Sequence, residues 1–357
     1  MSPPGECERR RWRLGLRDWL LGRGLPQPRD PGAERALLEA AGREGLAGLL
    51  AGAPETAAWP RELRARLLAT RQALLFRGVQ QLDALARASQ LLARAGLRSL
   101  PLKGAALAEE LYASVAERPM CDVDLLALED FPAALRLLEA SGLRLVDRSD
   151  HAAALASSDG LVLELHEAVT SCPGLFAARP ESLWARSRAG VGQVPRLPAP
   201  EDLLVQLALH AAFQHGLALT LVQYLDFRRL LERPLDAGLA AAIARETGAE
   251  AALAVSLEAA SMLVGARVPE ALRAVLASAL TRRDRAWLGA WLAQPARVLA
   301  PGSPPLARLR WMIAAGRRGT LLRGTLRGGG GRRALALASR WAAPSLRQLL
   351  PARRPTA

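Results

Sequence analysis

Of the 48 lysine and arginine residues in this 357-residue chain, 47 are arginine, and the single lysine is Lys103, within Leu102-Lys103-Gly104. A composition that uses arginine everywhere else keeps an ammonium here, at a predicted strand-to-helix turn. Backbone amides at such a helix start, a glycine that admits close approach and a nearby ammonium together suit a phosphate group. The competing reading is chance, because one leftover lysine must lie somewhere, and a Lys-Gly dipeptide alone is a weak signal.

Further on, Cys121-Asp122-Val123-Asp124-Leu125-Leu126 sets two carboxylates at i and i+2 in an apolar run. Strand geometry places both on one face, roughly 6–7 Å apart, with Cys121, Val123 and Leu125 on the other. Carboxylates this close raise each other's pKa unless a cation sits between them, which makes a divalent ion a natural partner. The competing reading is an edge strand with both aspartates in solvent. Leu161-Val162-Leu163-Glu164-Leu165-His166 alternates strictly and presents Glu164 and His166 opposite its leucines. Two carboxylates on one strand and a third on a neighbour are what two-metal phosphoryl transfer requires. His166 is either a support for the ligands or a satisfied, half-buried histidine.

Other residues carry less. Arg118 precedes Asp122 and either contacts phosphate, buttresses the carboxylates or lies on the surface. Asp202, Gln206, His210 and Gln214 recur every four residues as one polar helix stripe, expected to face solvent or cap a neighbour. The eight tryptophans are dispersed without the spacing of a base-stacking platform.

The elements that would position these groups follow from periodicity. Residues 32–96 predict helices, with Leu63, Leu67, Leu74, Leu75, Val79, Leu82 and Leu85 forming the apolar stripe of a helical arm between Pro60 and Gly96. From Leu97 to Val169 short apolar runs alternate with helical stretches, which predicts a sheet with helices on it. Ser157-Ser158-Asp159-Gly160 is turn chemistry joining residues 152–156 to 161–169 as a hairpin, so the sheet is mixed. Beyond the proline-rich joint at 195–200 the helical period returns.

The net charge of +14 lies at the ends. Residues 316–357 hold ten arginines and no acid, and residues 1–24 six arginines against three acids, so the body is near neutral and long nucleic-acid tracks across it are not favoured. The arginine-rich tail, with Leu335, Leu337, Trp341, Leu346 and Leu349, either binds an anionic surface or has no partner. Cys7, Cys121 and Cys172 show neither disulfide nor zinc spacing. No transmembrane segment or secretion leader is read from the sequence, and the expected compartment is the cytoplasm.

Taken in order, Leu102-Lys103-Gly104, Arg118 to Leu126, Leu163-Glu164-Leu165-His166, Pro200 to Leu204, Leu209-His210-Ala211-Ala212 and Tyr224-Leu225-Asp226-Phe227 resemble an uncharacterised bacterial nucleotidyltransferase family, similar in fold to the DNA polymerase beta superfamily. The resemblance spans roughly residues 30–235, and it would allow His210 and Asp226 to line a cleft. It implies an α+β, mostly helical chain: a small mixed-sheet minimal nucleotidyltransferase core with N-terminal helices and a C-terminal helical domain. The implied organisation is a basic N-terminal segment (1–31), a helical arm (32–96), the core (97–195), a helical domain (196–316) and a basic Gly/Arg-rich tail (317–357). It further implies Asp122, Asp124 and Glu164 as catalytic Mg²⁺ ligands, and Lys103, Gly104 and Arg118 on the nucleotide side. The reaction would move an NMP from an NTP to a small molecule, peptide or protein acceptor. Two departures stand out: Ala105 follows Gly104 where the superfamily has glycine or serine, and Glu164 replaces the commoner aspartate. They leave a non-catalytic nucleotide-binding or scaffold protein as the alternative.

Overall fold

The computed structural model describes residues 4–321 apart from 26, 173, 191–193 and 300–304. Four helices lead in: α1 (Pro4–Leu20), α2 (Pro31–Arg43), α3 (Ala47–Ala51) and the 34-residue α4 (Arg61–Arg94). Pro31 within the first turn of α2 and the Asp30 side chain accepting from Ala33 N make a strong start signal. On α4, Leu63, Leu67, Leu82 and Leu85 are buried as the spacing requires, but Leu75 and Val79 are exposed, alongside Leu68 and Phe76. The predicted stripe is therefore broken at mid-helix, where Gly78 rather than Val79 turns inward, against Val115.

The central segment runs β1 (Ser99–Pro101), α5 (Lys103–Leu111), β2 (Val123–Ala127), α6 (Phe131–Ala140), β3 (Arg144–Arg148), β4 (Ala152–Ala156) and β5 (Val162–His166). The strands form one sheet in the order β1-β2-β5-β4-β3. β2 and β5 are parallel, and the other neighbours are antiparallel, including the expected β4–β5 hairpin. The sheet is mixed, as the hairpin turn at 157–160 predicted. Because β2 lies between β1 and β5, it is an interior strand, and the edge-strand reading of Asp122 and Asp124 does not hold.

One face of the sheet, with Val123, Leu125, Leu163 and Leu165, joins the main core. On the opposite face Leu100, Leu102, Leu126 and Leu128 form a small separate apolar cluster with Val169 and Leu183. After α7 (Pro180–Arg186) and the short pair β6 (Arg188–Ala189) and β7 (Arg196–Leu197) come α8 (Pro200–Ala208), a π-helical turn (Leu209–Gln214), α9 (Leu221–Leu231), α10 (Ala237–Thr247) and α11 (Glu250–Val264). α12 (Glu270–Leu276), α13 (Arg282–Leu292), α14 (Pro295–Val298) and α15 (Leu306–Ile313) follow. α8 and α9 pack on α5, and one continuous buried cluster runs from Trp12 to Leu321. The helical half thus shares its core with the sheet and closes over its polar face.

Among the described residues no helix is long and apolar enough to cross a membrane. The basic tail beyond residue 321 lies outside the described residues.

Candidate active site

The strand register makes the first contact. Asp124 on β2 is the direct partner of Glu164 on the parallel strand β5, so the two side chains leave adjacent strands on the same face. Leu102 N donates to the backbone carbonyl of Asp124 (3.0 Å), which brings the end of β1 beside that residue. Lys103 then turns the chain into α5 with φ of +50°, an uncommon conformation for a side-chain-bearing residue and one concentrated at functional sites. This turn aims the ammonium back over the strands: Lys103 Nζ lies 2.6 Å from Asp124 Oδ1 and 3.8 Å from Glu164 Oε2.

His166, two residues after Glu164 and fully buried, bridges the same pair, with Nε2 at 2.8 Å from Asp124 Oδ1 and 2.9 Å from Glu164 Oε2. Its Nδ1 is buried and has no partner. Burial alone would raise the Asp124 pKa, but the hydrogen bond from His166 and the charge of Lys103 outweigh it and hold the carboxyl below the usual range. For His166 the signs reverse: burial lowers its pKa, and the bonds to Asp124 and Glu164 win, raising it.

Asp122 sits one residue before β2, in the loop entering the strand rather than on it, and its side chain is exposed. It nonetheless lines the same cavity as Asp124, Glu164, Lys103, Gly104 and Arg118, a space of about 660 Å³. Crowding by the protein on the cavity side, then the like charge of Asp124, raises its pKa. One ligand atom each from Asp124, Glu164 and His166 lies within 4.8 Å of the others. Hard carboxylate oxygens with one imidazole nitrogen suit a divalent cation. Lys103 Nζ bridges two of these carboxylates, Asp124 and Glu164.

Arg118 serves the site from behind. It is 6% exposed, and its Nε and Nη2 grip both oxygens of buried Asp226 at 2.8–2.9 Å, while Nη1 donates to Pro119 O (2.8 Å). Tyr112 Oη donates to the same Asp226 (2.7 Å). The guanidinium lies against Gly104, where an added Cβ would meet it at 3.1–3.2 Å. Arg118 therefore buttresses the Gly104 turn with three of its five N–H donors, and it also lines the cavity.

The polar stripe does not face solvent as the spacing suggested. Asp202 and Gln206 are buried, with Asp202 paired to Arg186 at 2.8 Å, while His210 and Gln214 line the cavity from the π-helical turn. π-turns often mark functional sites, since the extra residue redirects side chains. From there a hydrogen-bonded chain runs outward. His210 Nδ1 meets Gln214 Oε1 (3.1 Å), Gln214 Nε2 meets His151 Nε2 (3.0 Å), and His151 Nδ1 meets Asp150 Oδ1 (2.8 Å). The His151 ring lies 5.7 Å from that of His166, and the His210 ring 4.3 Å from that of His215. Burial, then the charges of Lys103 and His215, lowers the His210 pKa to about 3.

All four histidines of the chain thus gather around one cavity. His151, Gln214 and His215 were not singled out as site residues by motif or spacing. For the two histidines the signal was scarcity, the same property that marked Lys103.

A crystal structure of an antigenic nucleotidyltransferase-like protein from Paracoccidioides brasiliensis is similar at 20% identity, over 43% of this chain and 76% of that one, with a TM-score of 0.30. No curated protein matches. The sequence profile of an uncharacterised nucleotidyltransferase family matches residues 30–265, about two thirds of the chain and the whole stretch that builds the cavity. By that match, the chain belongs to this uncharacterised nucleotidyltransferase family.

Proposed function

We propose that the chain is a Mg²⁺-dependent nucleotidyltransferase that moves a nucleoside monophosphate from an NTP to an acceptor nucleophile. The observation that carries this reading is the register pairing of Asp124 with Glu164, beneath a cavity that Asp122 also lines. Asp122, Asp124 and Glu164 would hold the metal, with His166 as the ring that fixes two of those carboxylates. When bound, Mg²⁺ would neutralise charge on the triphosphate and lower the pKa of the attacking hydroxyl.

The remaining work belongs to the chain itself. The N-terminal turn of α5 and Gly104 offer backbone amides to phosphate oxygens, and Arg118, locked by Asp226, keeps that turn in place. α8, the π-turn and α9 wall the cavity on the side away from the sheet and limit the water that reaches the reacting phosphorus. His210 and His215, both with lowered pKa, present uncharged rings there and add no cation that would compete for the nucleotide.

The experiment is incubation of the full chain with each α-³²P-labelled NTP, Mg²⁺ and a panel of hydroxyl, amine and peptide acceptors. The expected result is pyrophosphate release with label transferred to one acceptor class, lost in Asp122→Asn. Absence of pyrophosphate with every nucleotide, despite nucleotide binding, favours the non-catalytic alternative.

A further inference from the structure

Lys103 has properties that a passive phosphate contact does not need. It is the only lysine among 48 basic residues, its backbone is held in a left-handed conformation, and its ammonium lies on two carboxylates that line the cavity with it. The Asp124 carboxylate it touches is 4% exposed, so a cation there faces little competition from water. His166 already occupies the other side of the same two oxygens. A divalent ion approaching Asp124 and Glu164 therefore meets a positive charge in its place.

We propose, on the basis of the metal reading above, that Lys103 is a placeholder cation. Its ammonium takes up the position between Asp124 and Glu164 that the metal would use, and is released to the triphosphate when metal and nucleotide arrive together. Two like charges cannot share one half-buried carboxylate pair without strong repulsion, so metal alone binds weakly. A triphosphate supplies the anionic partner that the displaced ammonium needs, and both lie in one cavity lined by Lys103 and Gly104. The consequence is coupling: each ligand raises the affinity for the other, as linkage requires. Lysine suits this role better than arginine, because a compact ammonium on a flexible stem can exchange partners where a planar fork cannot.

The test uses the full chain and Mn²⁺ alone as the first probe. Calorimetric titration should show Lys103→Gln binding Mn²⁺ at least about tenfold more tightly than the wild type. The order should invert with Mn²⁺ plus a non-hydrolysable NTP analogue, the variant binding the analogue at least about tenfold more weakly. Equal Mn²⁺ affinity in the two proteins overturns the placeholder role while leaving the metal reading intact. No Mn²⁺ binding by either protein, with or without analogue, overturns both. A wild-type measurement covers the case in which the variant does not fold. Because the chain has one lysine, its side-chain Nζ resonance in the ¹⁵N NMR spectrum is unambiguous. It should move when Mg²⁺ and the analogue are added together and stay put with either alone. A resonance unmoved by the pair contradicts the exchange.

Discussion

Lys103 Nζ sits 2.6 Å from Asp124 Oδ1, while Asp122, two residues before Asp124, has no ion pair among the described residues. The two aspartates of one Asp-x-Asp motif therefore do different work in the fold. Neutralising Asp124 strands an ammonium and an imidazole in a part-buried site, so Asp124→Asn should cost on the order of 3 kcal/mol. Asp122→Asn removes a crowded charge repelled by Asp124 and should leave stability within about 0.5 kcal/mol or raise it. Urea unfolding of the two variants checks this, and equal losses would contradict the placement of Asp122 outside the ion-pair cluster.

The glycine of the Lys-Gly turn gives a second expectation. At Gly104 a methyl group meets the Arg118 guanidinium, which cannot yield because Asp226 holds it on both oxygens. Gly104→Ala should cost roughly 1–3 kcal/mol and weaken nucleotide binding at least about tenfold. At Gly48 the obstacle is the backbone carbonyl of Ala116, so Gly48→Ala should destabilise more than Gly104→Ala without any selective effect on nucleotide. Thermal unfolding beside nucleotide titration separates the two.

Breaking the buttress should act through the turn rather than through phosphate. Asp226→Asn leaves the buried Arg118 charge without its counter-ion and should cost about 3–5 kcal/mol. Tyr112→Phe removes only one hydrogen bond to the same carboxylate and should cost about 1 kcal/mol. If Asp226→Asn keeps full stability, the Arg118–Asp226 pair does not hold α5 to α9.

Much of this arrangement was legible in the sequence. Strict alternation at 161–166 put Glu164 and His166 on one face, and the turn at 157–160 gave the β4–β5 hairpin, because a buried face imposes period two on a strand. The scarcity of lysine marked Lys103. The pairing of Asp124 with Glu164 was not readable, since register between parallel strands is set by the crossover packing rather than by local pattern. Asp226 lies 108 residues from Arg118, and nothing local in either segment announces the contact. The stripe from Asp202 to Gln214 was legible only in part: Asp202 pairs with a neighbour, Arg186, but only the packed sheet decides that His210 and Gln214 meet a cavity rather than water.

A pH dependence follows from His210. Burial, then Lys103 and His215, drop its pKa to about 3, with Asp124 opposing. A depressed value means that the fold favours the neutral ring, so this contribution is present above the unfolded pKa near 6.5 and is lost as the pH falls toward 3. Between pH 7 and 5 it should cost about 2 kcal/mol. His210→Asn, which keeps a donor for Gln214, should remove that part of the slope. Identical slopes in urea midpoints for wild type and variant would contradict the neutral His210.

If Asp122, Asp124 and Glu164 hold a metal that acts with a bound nucleotide, the melting temperatures of the wild type and Asp122→Asn report it. Each protein is melted with Mg²⁺, with each NTP and with both together. One nucleotide with Mg²⁺ should raise the wild-type melting temperature by several degrees, with little effect from either ligand alone. Asp122→Asn, melting normally by itself, should lose that combined shift. A wild type unmoved by every nucleotide with Mg²⁺, or an Asp122→Asn variant that keeps the full shift, contradicts the account.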